Sequence, residues 1–140
     1  MNVSQSVELW SGHIPLIGWY AHHHWLVTVQ GGKRDRWEVW QSRGMCSESW
    51  GYLHKNLMAP EEWIGRHAPH LVAEWTRDKA RELIEKIESS PETYPWIERY
   101  RYWPGPNSNT YVQWILAEVY DLGNHAPGKR YGRASNDRRK

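Results

Sequence analysis

Asn107-Ser108-Asn109-Thr110 follows a Trp103-Pro104-Gly105-Pro106 break and precedes an apolar periodic run, which puts small polar side chains at the mouth of a helix. A hydroxyl there gains from the positive end of the helix, and nearby backbone N–H groups can hold a developing oxyanion. Ser108 is therefore the candidate nucleophile. It needs a histidine as base and a third polar group to orient that histidine. The candidates for the base are His23 and His24, on a strand near the start of the chain. The competing account is plain: Ser and Asn ahead of an apolar helix are ordinary caps.

Other residues offer less chemistry. In His22-His23-His24 adjacent strand residues point to opposite faces, so at most His22 and His24 share one. His67 and His70 are three apart, but Pro69 interrupts any helix that would align them. No cysteine pair supports a structural zinc, and neither a metal nor another cofactor is expected. Cys46 is the single cysteine; it excludes an intramolecular disulfide and carries no nucleophile signature around it.

The elements that must position Ser108 and the histidines follow from periodicity. Residues 19–30 fit a strand ended by Gly31-Gly32, with His23, Trp25, Val27 and Val29 on one face and His22, His24, Leu26 and Thr28 on the other. Residues 37–41 read as its hairpin partner across residues 31–36, and residues 7–10 as an earlier strand of the same sheet. The stretch 43–69 reads as irregular, with a short helix opening at Pro60. Residues 71–75 suggest a short strand. Ala80, Leu83, Ile84 and Ile87 then mark a helix over 77–89, with Thr76 as cap and the pairs Arg81/Glu85 and Glu82/Lys86 facing solvent. A last helix over 111–120 would bury Val112, Ile115, Leu116 and Val119. Strands first and helices later predict an α+β fold, a small antiparallel sheet packed against two or three helices.

Composition bounds the remaining possibilities. The 140 residues, 39% hydrophobic and 24% charged, suit one globular domain and argue against disorder. Eleven Trp and no Phe predict a core whose large rings carry N–H groups that want partners. No run of 18 apolar residues exists, and Met1 to Trp10 lacks the basic and apolar regions of a secretory signal, so a cytoplasmic location is expected. Lys129, Arg130, Arg133, Arg138, Arg139 and Lys140 are six of the 18 basic residues, which leaves 12 bases against 15 acids in residues 1–128. The chain divides on this ground into a mildly acidic body, 1–128, and a basic tail, 129–140. The body offers no basic groove for nucleic acid, and the Trp content is better explained by packing than by base stacking.

The run Trp103-Pro104-Gly105-Pro106-Asn107-Ser108-Asn109-Thr110-Tyr111 resembles the W-P-G-P-N-S-N-T-[FY] signature of a family of uncharacterised bacterial proteins. His23-His24-Trp25, Trp50-Gly51, Tyr94-Pro95 and Gly128-Lys129-Arg130-Tyr131 are similar to further segments of that family, which implies His23 as the strand histidine. More distantly, a His-Trp strand followed by Asn-x-Asn opening a helix resembles the circularly permuted papain-like fold of the NlpC type and of the lecithin–retinol acyltransferase relatives. There an Asn-Cys pair starts the helix. Asn107-Ser108 stands in its place, and His24-Trp25 matches His-Trp, so Ser replaces the nucleophilic Cys.

The resemblance implies an acyl hydrolase or acyltransferase acting on an amide or ester. Ser108 attacks, His23 or His24 takes the proton, and Glu38 or a flanking Asn orients the ring. Asn107, Asn109, Trp25 and Trp103 would contact a small-molecule, peptide or lipid ligand in a cleft. The alternative is an inactive binding module that uses the same cleft for a peptide, glycan or lipid.

Overall fold

A computed structural model describes the backbone of residues 4–16 and 19–132, with the side chains of all of these except residues 15, 16, 19 and 20. Six strands form one antiparallel sheet: β1 (Gln5–Leu16), β2 (Trp19–Gln30), β3 (Lys33–Val39), β4 (Ser49–Trp50), β5 (Leu53–Lys55) and β6 (His70–Thr76), in the order β4-β5-β3-β2-β1-β6. Two helices follow, α1 (Arg77–Thr93) and α2 (Ser108–Leu116). The fold is α+β, and its sheet is wider than the small one expected.

The β2–β3 hairpin turns at Gly31-Gly32 alone, so the second strand begins at Lys33 rather than Trp37. Both glycines have positive φ, 59° and 86°, the conformation that a two-residue hairpin turn requires. Strand β1 is longer than expected and pairs with β2 along its whole length.

Alternation along the strands divides the core. On one face Val7, Leu9, Leu26, Trp37, Val39 and Leu53 pack against both helices. On the other face Trp10, Trp25 and Val27 form a second cluster with Ile64. The segment around residues 59–64, expected to open a helix at Pro60, forms turns that cover this second face. Its carbonyls are spent on buried donors: Pro60 O accepts from Trp25 Nε1, and Ala59 O and Glu62 O accept from Arg36 Nη1. Ala59 O also accepts from Glu62 N–H at 3.1 Å, which closes a single turn that does not continue into a helix.

Helix α1 runs through Pro91 instead of stopping at Ser89. Proline has no N–H to give to Ile87 O, but the Ser90 hydroxyl donates to that carbonyl at 2.6 Å. Thr76 makes no side-chain cap bond. Lys86 does not pair with Glu82. It donates to Trp114 O at 2.7 Å and joins α1 to α2, while Lys79 pairs with Glu82 and Arg81 with Asp78.

Helix α2 starts three residues earlier and ends four residues sooner than its apolar period suggests. Gln113, 1% exposed, ends it: its Nε2 donates to Ala117 O and Tyr120 O, and its Oε1 accepts from Leu122 N–H. Val119 consequently lies past the helix and is exposed, whereas Val112, Ile115 and Leu116 are buried. Within the tail defined by charge, Lys129 is buried and paired with Asp121 at 2.5 Å. Residues 133–140 lie outside the described residues.

Candidate functional site

The mouth of α2 is closed by Asn107. Its Oδ1 accepts from the Asn109 and Thr110 N–H groups at 2.9 and 3.2 Å, and Thr110 Oγ1 accepts from Asn107 N–H at 3.0 Å. This reciprocal capping box uses the second and third helical amides. Ser108 is therefore the first helical residue and not the cap. The Thr110 hydroxyl donates onward to Gly128 O at 2.6 Å, and Asn107 Nδ2 donates to Tyr102 O. With its polar atoms committed within the protein, Asn107 serves the helix and has little left for a ligand.

Strand alternation turns His24 toward α2. His24 Nδ1 meets Asn109 Oδ1 at 2.9 Å, and the His24 backbone N–H donates to the same oxygen at 3.2 Å. Asn109 Nδ2 donates to His22 O and Pro127 O, which assigns the amide orientation and makes Oδ1 the acceptor. His24 Nδ1 therefore carries the hydrogen, and Nε2 keeps its lone pair. Burial lowers the His24 pKa to about 4, against the raising effect of the Asn109 bond and with small contributions from His23 and His22. The ring is neutral at physiological pH, the form a general base requires.

His23 occupies the other side of the sheet. Its Nε2 lies 2.9 Å from Glu38 Oε2, which also accepts from Arg36 Nη2 at 2.8 Å. Arg36 rests 3.8 Å over the Trp25 ring, and His23 packs against Trp40 with ring centroids 4.4 Å apart. Burial pushes the Glu38 carboxyl up, but His23 and then Arg36 outweigh it and hold it below the usual carboxylate range. Glu38 Oε1 and Arg36 Nε are buried without a hydrogen-bond partner.

The period of two thus separates residues that the sequence reading grouped. His24 faces the helix that carries Ser108, whereas His23, Glu38 and Trp25 belong to a buried network behind the sheet. The structure therefore brings His24 and Asn109 together on the α2 side of the sheet and His23 and Glu38 together on the other. Trp25, 0% exposed and bonded to Pro60 O, is enclosed rather than at a cleft.

Ser108 is 9% exposed, and among the described residues no hydrogen bond joins its hydroxyl to a histidine ring. Beside the helix mouth a cavity of about 530 Å³ is lined by Trp103, Pro104, Pro127, Gly128 and Tyr131 together with Lys129 and Arg130. Trp103 is 69% exposed on its wall. Pro127 and Gly128 belong both to this wall and to the hydrogen bonds of Asn109 and Thr110. Gly128 has φ +92°, and a Cβ there would overlap the Asn107 carboxamide, so only glycine fits.

Two groupings escaped the sequence reading. Ser49 Oγ donates to His54 Nδ1 at 2.7 Å, and His54 Nε2 donates to Ser42 O at 3.0 Å. Ser49 Oγ also accepts from Cys46 N–H, so this dyad clamps a turn rather than presenting a free hydroxyl. Its signal was the cross-strand pairing of Ser49 with His54, legible only once β4 and β5 are known.

The second grouping is a chain of histidines. His13 and His22 stack with centroids 4.8 Å apart, His22 lies 5.5 Å from His125 and 6.1 Å from His24, and His13 lies 5.4 Å from His67 and 6.1 Å from His70. The six come from four separate segments, which is why residue spacing did not reveal them. Among the described residues no group of three or more His, Cys, Asp or Glu is arranged to hold a metal ion. Also among them, no helix is long and apolar enough to cross a membrane.

No curated protein and no solved structure matches the chain. One family does match, over residues 4–134, a span that includes every strand, both helices and the segment around Gly128. The chain belongs to that family, described as "Protein of unknown function (DUF3750)".

Proposed function

We propose that this protein is an acyl hydrolase or acyltransferase of permuted papain-like type, acting on an amide or ester with Ser108 as nucleophile, His24 as base and Asn109 as the residue that orients the base. The observation that carries the reading is the Asn109 Oδ1 to His24 Nδ1 hydrogen bond of 2.9 Å at the mouth of the helix that begins with Ser108. An Asn that fixes the tautomer of a strand His, beside a nucleophile at a helix start, is the arrangement of roles found in papain-like sites.

The chemistry follows from these groups. Ser108 Oγ attacks the acyl carbonyl while His24 Nε2 takes its proton. The resulting oxyanion lies at the positive helix end, where the Ser108 N–H is left by the capping box. The His24 imidazolium then protonates the leaving nitrogen or oxygen, and water or an acceptor hydroxyl removes the acyl group from Ser108. Substrate entering from the Trp103 cavity must draw Ser108 Oγ and His24 Nε2 into hydrogen-bond contact, a tightening common on substrate binding.

A fluorophosphonate probe tests the reading. Labelling at Ser108 is expected, with loss in Ser108→Ala, loss in His24→Ala and retention in His23→Ala. A wild-type chain that takes up no probe, or a label that persists in Ser108→Ala, overturns it. The absence of a Ser108–His24 hydrogen bond favours a second reading, a binding module for a peptide, glycan or lipid in the same cleft. On that reading the probe never reacts, and Trp103→Ala alone weakens ligand binding.

A further inference from the structure

The histidine chain links the sheet to the segment that covers the α2 mouth. His22 is central. From β1 it meets His13, from β2 His24, and from the chain after α2 His125, while His70 at the start of β6 lies against His13 and acts on His22 through its charge. His67, in the loop before β6, stands against His13. Asp121, on the same segment as His125, is engaged by Lys129. Charge on His13, His125 and His70 acts on His22, and His22 and His24 are coupled in the same way.

Three hydrogen bonds tie residues 125–128 down at this point. His22 N–H donates to His125 O at 3.0 Å, Asn109 Nδ2 to Pro127 O at 3.2 Å, and Thr110 Oγ1 to Gly128 O at 2.6 Å. The first joins the two residues whose rings lie 5.5 Å apart.

We propose that the histidine cluster is an acid-released latch: when His22, His13, His70 and His125 become charged, repulsion lifts residues 125–128 from β2 and opens the cavity beside the α2 mouth. His67, His70 and His125 are exposed to solvent, whereas His13 and His22 are half-buried. The ring spacings of 4.8–6.1 Å fall inside a Debye length of about 8 Å at physiological ionic strength, so the charges feel one another. Burial, and after it the charges of His13, His125 and His70, lower the pKa of His22, so it resists the proton that completes the repulsion. A segment held by three hydrogen bonds is a suitable element for local opening ahead of the body. The inference does not rest on the chemistry assigned to Ser108.

Hydrogen exchange followed by mass spectrometry tests it on the full chain. Between about pH 7 and about pH 5, and after correction for the intrinsic rate, exchange across residues 121–131 is expected to rise at least ~10-fold while α1 stays protected. His125→Gln keeps the carbonyl and removes the ring charge, so its response should fall below ~3-fold. The double variant His13→Gln/His70→Gln removes charge without touching the segment and should behave alike. At about 1 M salt, where the Debye length is about 3 Å, the wild-type response should also shrink. Unchanged protection at the lower pH, simultaneous opening of α1, or an undiminished response in both variants overturns the proposal.

Discussion

Asn109 and His24 are joined twice through one oxygen: Asn109 Oδ1 accepts from both the ring and the backbone of His24, at 2.9 and 3.2 Å. The helix that begins with Ser108 is thereby fixed to the strand that carries His24. With the other end of the amide on His22 O and Pro127 O, Asn109 is the junction of α2, β2 and the cavity wall.

Replacing Asn109 by Ala should therefore affect stability and chemistry together. It leaves the His22 and Pro127 carbonyls and the His24 donors to find other partners, at about 1–3 kcal/mol for each buried group left unsatisfied. Urea unfolding should show a loss of at least ~2 kcal/mol, and probe labelling at Ser108 should fall even where the variant is fully folded. Labelling at the wild-type rate in folded Asn109→Ala would remove its orienting role.

His24 makes stability depend on pH with a definite sign. Its folded pKa of about 4 lies below the ordinary 6.5, so the unfolded chain binds the proton more tightly. The stabilisation is fully present above pH 6.5 and is lost as pH falls toward 4, by up to roughly 3 kcal/mol. His24→Gln should flatten this part of the stability profile. An identical slope in wild type and variant would contradict the assignment.

The buried network behind the sheet should matter for folding and not for the reaction. Glu38→Gln leaves the fully buried Arg36 without its counter-charge, at a cost of about 3–5 kcal/mol. Chemical denaturation measures this directly. The folded fraction should still label at Ser108, because Glu38 lies on the face opposite α2. Loss of labelling without loss of stability would reinstate Glu38 in the site.

Ser108→Cys asks whether the helix end and His24 activate a nucleophile. The thiol should have a pKa below the free value of about 8.5 and react with iodoacetamide faster than Cys46 at neutral pH. Its advantage should drop in Ser108→Cys/His24→Ala and persist in Ser108→Cys/His23→Ala. The helix end contributes in all three, so dependence on His24 is the deciding comparison. A thiol indifferent to both histidines would leave the nucleophile reading without support.

Gly128→Ala probes the wall of the same mouth. The added Cβ meets the Asn107 carboxamide at a backbone φ of +92°, so repacking cannot relieve both faults. A loss of roughly 2 kcal/mol or more is expected in thermal unfolding, with the capping box disturbed. An alanine tolerated within ~0.5 kcal/mol would show that the segment shifts freely.

The local code of the chain determined its elements. Alternation over 19–30, the Gly31-Gly32 turn and the Ala80/Leu83/Ile84/Ile87 spacing specify a hairpin and a helix because each is a property of neighbours along the chain. The same alternation places His23 and His24 on opposite faces, and the polar run before Tyr111 marks a helix mouth. Which face received α2 depended on packing between residues more than 80 positions apart, as did the pairing of His24 with Asn109. Only the tertiary structure decided these, together with the six-histidine chain and the covering of Trp25 by residues 59–64. Such contacts are settled by which buried donors find acceptors once the core has closed, and no short-range pattern encodes that match.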